Sequence, residues 1–236
     1  MRAQVERIGC ALVGQSPELV PADGAHVTVL NGTNVQTVSM AYPEVVSNRQ
    51  HFHNLRIENP AGVTLTGDMA ASGLVTLAAG AGSVTGVGRT ALLRLGLVDA
   101  ASSGNWQVEH TTVISNNALF PATLATNLTL RGANLLQAGL ALDGNLTILA
   151  AGAALDLGGH AVTVTGNVGL FNGAQLSIGS GTLSAQNLVV SSGSLLHMNH
   201  AAGVLGVSGN AVFDAAQTVG TLTEGLLRVG GNFTVS

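Results

Sequence analysis

A phrase that returns about every 22 residues constrains this chain more than any other feature. Gly144-Asn145-Leu146-Thr147-Ile148 comes back as Gly166-Asn167-Val168-Gly169-Leu170, Asn187-Leu188-Val189-Val190, Gly209-Asn210-Ala211-Val212-Phe213 and Gly231-Asn232-Phe233-Thr234-Val235. The asparagines at 145, 167, 187, 210 and 232 are therefore spaced by 22, 20, 23 and 22 residues. Helical repeats use units of about 33 residues or more, so a shorter period with small slips points to stacked coils whose corners vary in length.

Within one period the apolar residues alternate in three bursts. Leu146 and Ile148 are followed by Leu155 and Leu157, then by Val162 and Val164, with Ala150-Ala151-Gly152 and Gly158-Gly159-His160 between them. Alternation over three to five residues, bounded by Gly and Asn, describes short strands with one buried face. The phase holds from period to period. Leu155/Leu157 recurs as Leu176/Ile178 and Leu196/Met198, and Val162/Val164 recurs as Leu205/Val207 and Leu227/Val229. The expected fold is all-β: one parallel β-helix, or β-solenoid, with three short strands and about 22 residues per rung. Its expected hand is right, from the general chirality of parallel crossovers. Asn145, Asn167, Asn187, Asn210 and Asn232 should form a structural corner ladder, their stacked amides bonding along the column from left-handed backbone. The glycine before each should supply positive φ for the bend.

Outside the regular part, residues 143–236, the pattern loosens. Asn54-Leu55-Arg56-Ile57, the run 62–68 and the run 72–77 give three strand-and-corner units, and Leu128 to Leu130 and Leu140 to Leu142 lead into the repeats. Residues 86–120 hold the single Trp and several charges, so longer loops are expected there. Residues 1–50, with Pro17, Pro21 and Pro43, read as an irregular N-terminal cap or first coil, and 51–236 as one continuous solenoid domain.

Composition agrees with a narrow core and many corners. Only 8% of residues are charged and 3% aromatic, against 46% hydrophobic and 32 glycines. All eight basic residues are Arg, scattered from Arg2 to Arg228, which excludes lysine chemistry and shows no nucleic-acid footprint. The single cysteine, Cys10, cannot form an intrachain disulfide and no motif gives it a catalytic partner. No run approaches the roughly 18 apolar residues of a membrane span. The segment Met1 to Gly14 fits a signal peptide poorly, because Glu6 interrupts its basic part and its apolar run is short.

The candidate sites are few. His51 and His53 share one side of an extended segment, as a metal pair could; His26, His110, His160, His197 and His200 are available as further ligands, but no Cys or carboxylate accompanies any of them at ligand spacing. Asp143, Asp156 and Asp214, with Asp68 and Asp99 earlier, fall at different phases and so on different faces. Glycan hydrolysis instead needs two carboxylates about 5 to 9.5 Å apart. Thr64/Thr66, Thr163/Thr165 and Thr221/Thr223 could begin an ice-matching array, which Ser177, Val189 and Gly206 interrupt. No catalytic residue, metal or cofactor is expected, and the chain reads as no enzyme. The alternative is a glycan-binding or glycan-cleaving β-helix using Trp106.

The run from His51 to Ile57, followed by Ala61-Gly62-Val63-Thr64-Leu65-Thr66-Gly67-Asp68 and Ser72-Gly73-Leu74-Val75-Thr76-Leu77, resembles repeats of very large bacterial surface proteins. So does the run from Ala153 to Asn167. The family is that of the filamentous-haemagglutinin-like and autotransporter-passenger-like β-solenoids. The resemblance implies secretion, an extracellular or cell-surface location, and adhesion or scaffolding, although the sequence shows no secretion domain or membrane barrel. The last repeat carries no charged or helical cap, so it is expected either to continue in a longer protein or to be covered by another copy. End-to-end pairing of copies into a filament follows as the expected partnership, with a glycan or other cell-surface ligand as the second.

Overall fold

The computed structural model describes residues 5–8, 12–14, 26–45, 49–100 and 105–236. Among them there is no helix and the strands pair in parallel, so the chain is a β-solenoid as the alternation predicts. Its contacts form two compact units, Met1–Ile114 with Ala118–Thr126, and Ser115–Asn117 with Asn127–Ser236.

The first unit contains β1 (Val5–Ile8), β2 (Leu12–Gly14), β3 (Val27–Leu30), β4 (Gln36–Met40), β5 (Asn54–Ile57), β6 (Val63–Leu65), β7 (Met69–Ala71), β8 (Val75–Leu77), β9 (Val84–Leu93), β10 (Leu97–Asp99), β11 (Trp106–Val113) and β12 (Thr123–Ala125). One sheet runs β1-β3-β5-β8-β10. A second runs β2-β4-β6-β9-β11, with β7 also paired to β9. The strands within residues 1–50 thus belong to the first coils of the stack. Within the segment 86–120, expected to carry longer loops, residues 114–120 hold no strand, while β9 and β11, which enter it, are the two longest strands, of 10 and 8 residues. Their irregularity is a bulge: Val108 pairs with Gly86 but His110 with Thr90, which leaves Val87, Gly88 and Arg89 looped out. Glu109 accepts the Gly88 N–H at 2.5 Å and closes that loop.

The second unit is the regular repeat. Its strands are β13 (Asn127–Leu130), β14 (Ala133–Leu135), β15 (Leu140–Asp143), β16 (Leu146–Leu149), β17 (Ala154–Asp156), β18 (Ala161–Val164), β19 (Val168–Phe171), β20 (Gln175–Ser177), β21 (Thr182–Ala185), β22 (Leu188–Ser191), β23 (Leu195–His197), β24 (Val204–Val207), β25 (Ala211–Asp214), β26 (Leu226–Val229) and β27 (Phe233–Val235). They form three sides. The first carries β13-β16-β19-β22-β25-β27, the second β14-β17-β20-β23, and the third β15-β18-β21-β24-β26.

Register is continuous along each side, so inward residues stack into apolar columns. Leu146, Val168, Leu188 and Ala211 make one, and Leu155, Leu176 and Leu196 another. All are buried to 1% exposure or less. Each buried Leu contributes roughly 1.5–3 kcal/mol of transfer free energy. Neighbouring strands lie about 4.8 Å apart, so one rung's side chains form the floor of the next. The slips in spacing sit in the corners. The corner from Phe171 to Ala174 is one residue shorter than that from Leu149 to Ala153, and the turn before Asn187 lacks the glycine found before Asn167.

One column contains a misfit. Ser194 stands where the two preceding rungs have Ala174 and Ala153, all three fully buried. Its hydroxyl has no hydrogen-bond partner. A buried donor left unpaired costs about 1–3 kcal/mol. Ser194→Ala is therefore expected to raise the urea midpoint, by about 1 kcal/mol in unfolding free energy; a lowered midpoint would show that the hydroxyl is satisfied.

Candidate functional site

The corner asparagines form a ladder, by a different bond from the one expected. Asn167, Asn210 and Asn232 each donate their backbone N–H to the side-chain Oδ1 of the asparagine one rung earlier, at 2.8, 2.8 and 2.9 Å. Amide-to-amide bonds occur at two steps only, Asn145 Nδ2 to Asn127 Oδ1 and Asn187 Nδ2 to Asn167 Oδ1, both 2.8 Å. Asn127 thus opens the ladder, a member the spacing of glycine-asparagine pairs does not reveal. None of these asparagines has the expected left-handed backbone, and of the glycines before them only Gly144 has positive φ. The glycines serve close approach instead. A Cβ on Gly166 would strike Asn145 Oδ1 and lie 2.6 Å from the Gly144 carbonyl oxygen, and Gly209 and Gly231 meet the same obstacle from Asn187 and Asn210. The ladder is structural: it fixes the corner while the strands stack.

The titratable groups are dispersed. Asp143 lies on the third side, Asp156 on the second and Asp214 on the first, as their phases require. Each is used locally, accepting from Thr165 Oγ1, the Gly158 N–H and Ser236 Oγ. Asp68 accepts the Thr90 N–H, and Asp99 is buried. His51 and His53 do not converge as a metal pair. Their Nδ1 atoms bond separately to the Arg49 carbonyl and to Ser72 Oγ. His26 bonds Thr28, His110 sits against Glu109, and His200 accepts the Ala202 N–H. Among the described residues no three His, Cys, Asp or Glu side chains gather around a metal-sized point. Cys10 lies outside the described residues. One juxtaposition arises: Asp156, Ser177 and His197 follow one another in a column on the second side, bordering a recess of about 290 Å³.

Trp106 is not a sugar platform. It is fully buried, and its Nε1–H donates to Thr111 Oγ1, which in turn meets Thr126 Oγ1, both at 2.9 Å. A ring enclosed on all sides has no face left for a glycan. The threonines likewise make no extended array. Thr37, Thr64 and Thr85 share a column that continues into Gln107, and Thr163 is followed by Ser184, Gly206 and Arg228.

Two surfaces remain. The first is the edge made by β26 and β27, which stand last in their sheets. Phe233 and Val235 continue the inward columns of Ala211 and Phe213, yet are 53% and 68% exposed where those two are buried. Leu227 and Val229, in the columns of Leu205 and Val207, are half-buried. The second is a groove of about 660 Å³ on the outer face of the third side, lined by Thr165, Ser184, Gln186, Gly206, Ser208 and Arg228 among others. Sequence reasoning missed this groove, since it reads Gly206 only as an interruption.

The fold and these surfaces define a β-solenoid. No family model, no curated protein and no solved structure matches the chain. Among the described residues no helix is long and apolar enough to cross a membrane.

Proposed function

We propose that this chain is a structural or adhesive β-solenoid segment of the extracellular or bacterial cell-surface kind, comparable with the filamentous-haemagglutinin-like and autotransporter-passenger-like solenoids it resembles. In this reading it works without catalysis and adds rung to rung with a second copy of itself. The observation that carries the reading is the unbroken parallel register of the three sides, in which each rung takes the next by backbone pairing over continuous apolar columns. Two further features support it. The side-chain hydrogen bonds of the corner run between rungs, and the carboxylates are spread over three faces.

Sedimentation velocity over a hundredfold concentration range tests the proposal. The chain is expected to form species that grow with concentration, and Phe233→Asp is expected to hold it at the smallest one. The substitution puts an unpaired charge on the pairing surface, and in the free chain it sits where the side chain is more than half exposed. A single small species for the unsubstituted chain at every concentration would overturn the assembly reading, as would equal growth by Phe233→Asp.

A further inference from the structure

The groove on the third side carries an inference separate from assembly. Its floor is built from outward residues one rung apart: Ser184, Gly206 and Arg228 pair in succession across β21, β24 and β26. Thr165, Gln186 and Ser208 form its wall at the neighbouring corner. Arg228 is the one charged residue lining it, and its guanidinium makes no ion pair or side-chain hydrogen bond with another described residue.

Gly206 gives the groove its depth, and nothing in the backbone calls for glycine there. It lies mid-strand in β24 without positive φ, and a Cβ at that position would meet only the Leu183 carbonyl oxygen, at 3.9 Å. From Gly32 onward, every other described glycine has positive φ or a closer obstacle. Glycine inside a strand weakens it and often marks a bulge, a tight bend, or a site where a ligand or another backbone approaches closely; the register through Gly206 is continuous, so no bulge accounts for it. A notch that stability does not require, floored by hydroxyls and ending at a free guanidinium, is laid out for a ligand.

We infer that this groove binds a linear anionic glycan, with a uronate carboxylate on Arg228 and sugar hydroxyls along Thr165, Ser184, Gln186 and Ser208. The guanidinium fork matches a carboxylate in bidentate geometry. The rungs advance by about 4.8 Å, comparable with the length of one sugar ring, so successive sugars meet successive rungs. A peptide strand is the poorer occupant. The N–H and C=O groups of β18, β21 and β24 are committed to their neighbours on both sides, and strand addition needs a free edge.

Calorimetric titration of the full chain with a galacturonate tetramer tests the inference, with the uncharged galactose tetramer and a tetraglutamate peptide as comparison ligands. Saturable binding of the galacturonate is expected. Arg228→Gln should weaken it about tenfold or more, as loss of a charge-assisted pair does. Gly206→Val should abolish it while leaving the thermal midpoint unchanged or raised. Absence of saturable galacturonate binding would overturn the inference, as would unchanged affinity in both variants. Equal binding of the uncharged tetramer would overturn the anionic assignment. Tighter binding of tetraglutamate with the same dependence on Arg228 would replace the glycan by an acidic peptide. Because Gly206 and Arg228 point outward from the third side, these outcomes are read independently of the β27 edge.

Discussion

Trp106→Ala is expected to lower the unfolding free energy of the first unit by about 3–5 kcal/mol, read from urea denaturation followed by far-ultraviolet circular dichroism. The value is that of emptying a large aromatic site in a packed interior. Two terms add here. The ring stacks directly after Val84 in a continuous column, so its removal leaves a hole that adjacent rungs can close only by breaking register. The indole N–H also orients the buried Thr111 and, through it, Thr126, and the Thr111 hydroxyl would lose one of its two hydrogen bonds. Trp106→Phe should cost less, since the larger part of the volume stays. If instead Trp106→Ala left the midpoint unchanged, the ring would be a surface group and the glycan reading of Trp106 would return.

Gly166→Ala is expected to cost about 3 kcal/mol, although it adds a single methyl group at an exposed corner. Overpacking against fixed atoms costs about 1–3 kcal/mol, and the lost bond between the Asn167 N–H and Asn145 Oδ1 adds about 1. The obstacle is backbone as well as side chain, because the Gly144 carbonyl oxygen cannot rotate away. Gly206→Ala, measured in parallel, should be neutral or mildly stabilising, because its Cβ enters open space. The two glycines differ little in the sequence, yet their substitutions should move the urea midpoint in opposite directions. Equal shifts would mean that the corner has room to relax and that the ladder does not hold it.

Much of the second unit is legible in its residues. Leu155, Leu176 and Leu196 mark the second side, and Leu205/Val207 with Leu227/Val229 mark the third, because each alternation is short, strictly apolar inward and bounded by Gly or Asn. Two-residue periodicity is a direct consequence of strand geometry, so it survives corners of unequal length. The bulge was harder to read. Trp106 and Val108 do alternate as an inward pair, but Glu109 and His110 follow at once and suggest a loop. The chain keeps those charges in a long strand by looping out Val87, Gly88 and Arg89 on the neighbouring one. A one-sided insertion of that kind belongs to the pairing of two strands and leaves no mark on either alone.

The ladder shows the same limit at finer scale. Position and period of the asparagines are visible in the sequence, while the bonding is decided by which atom of one rung faces which atom of the next. Asn127 escapes the pattern because Thr126 precedes it and only 18 residues separate it from Asn145. The groove escapes for a related reason. Ser184, Gly206 and Arg228 do stand 22 residues apart, the period of the repeat, but a serine, a glycine and an arginine share no chemistry that marks them as one column until the rungs stack.

The central claim is that these rungs stack in parallel register and, as proposed, that copies of the chain add to one another rung on rung. Negative-stain electron microscopy of the purified chain across a concentration series tests it most directly. Filaments of constant width that lengthen with concentration, and that Phe233→Asp abolishes, are the predicted result. Discrete short rods of one length at every concentration would contradict it.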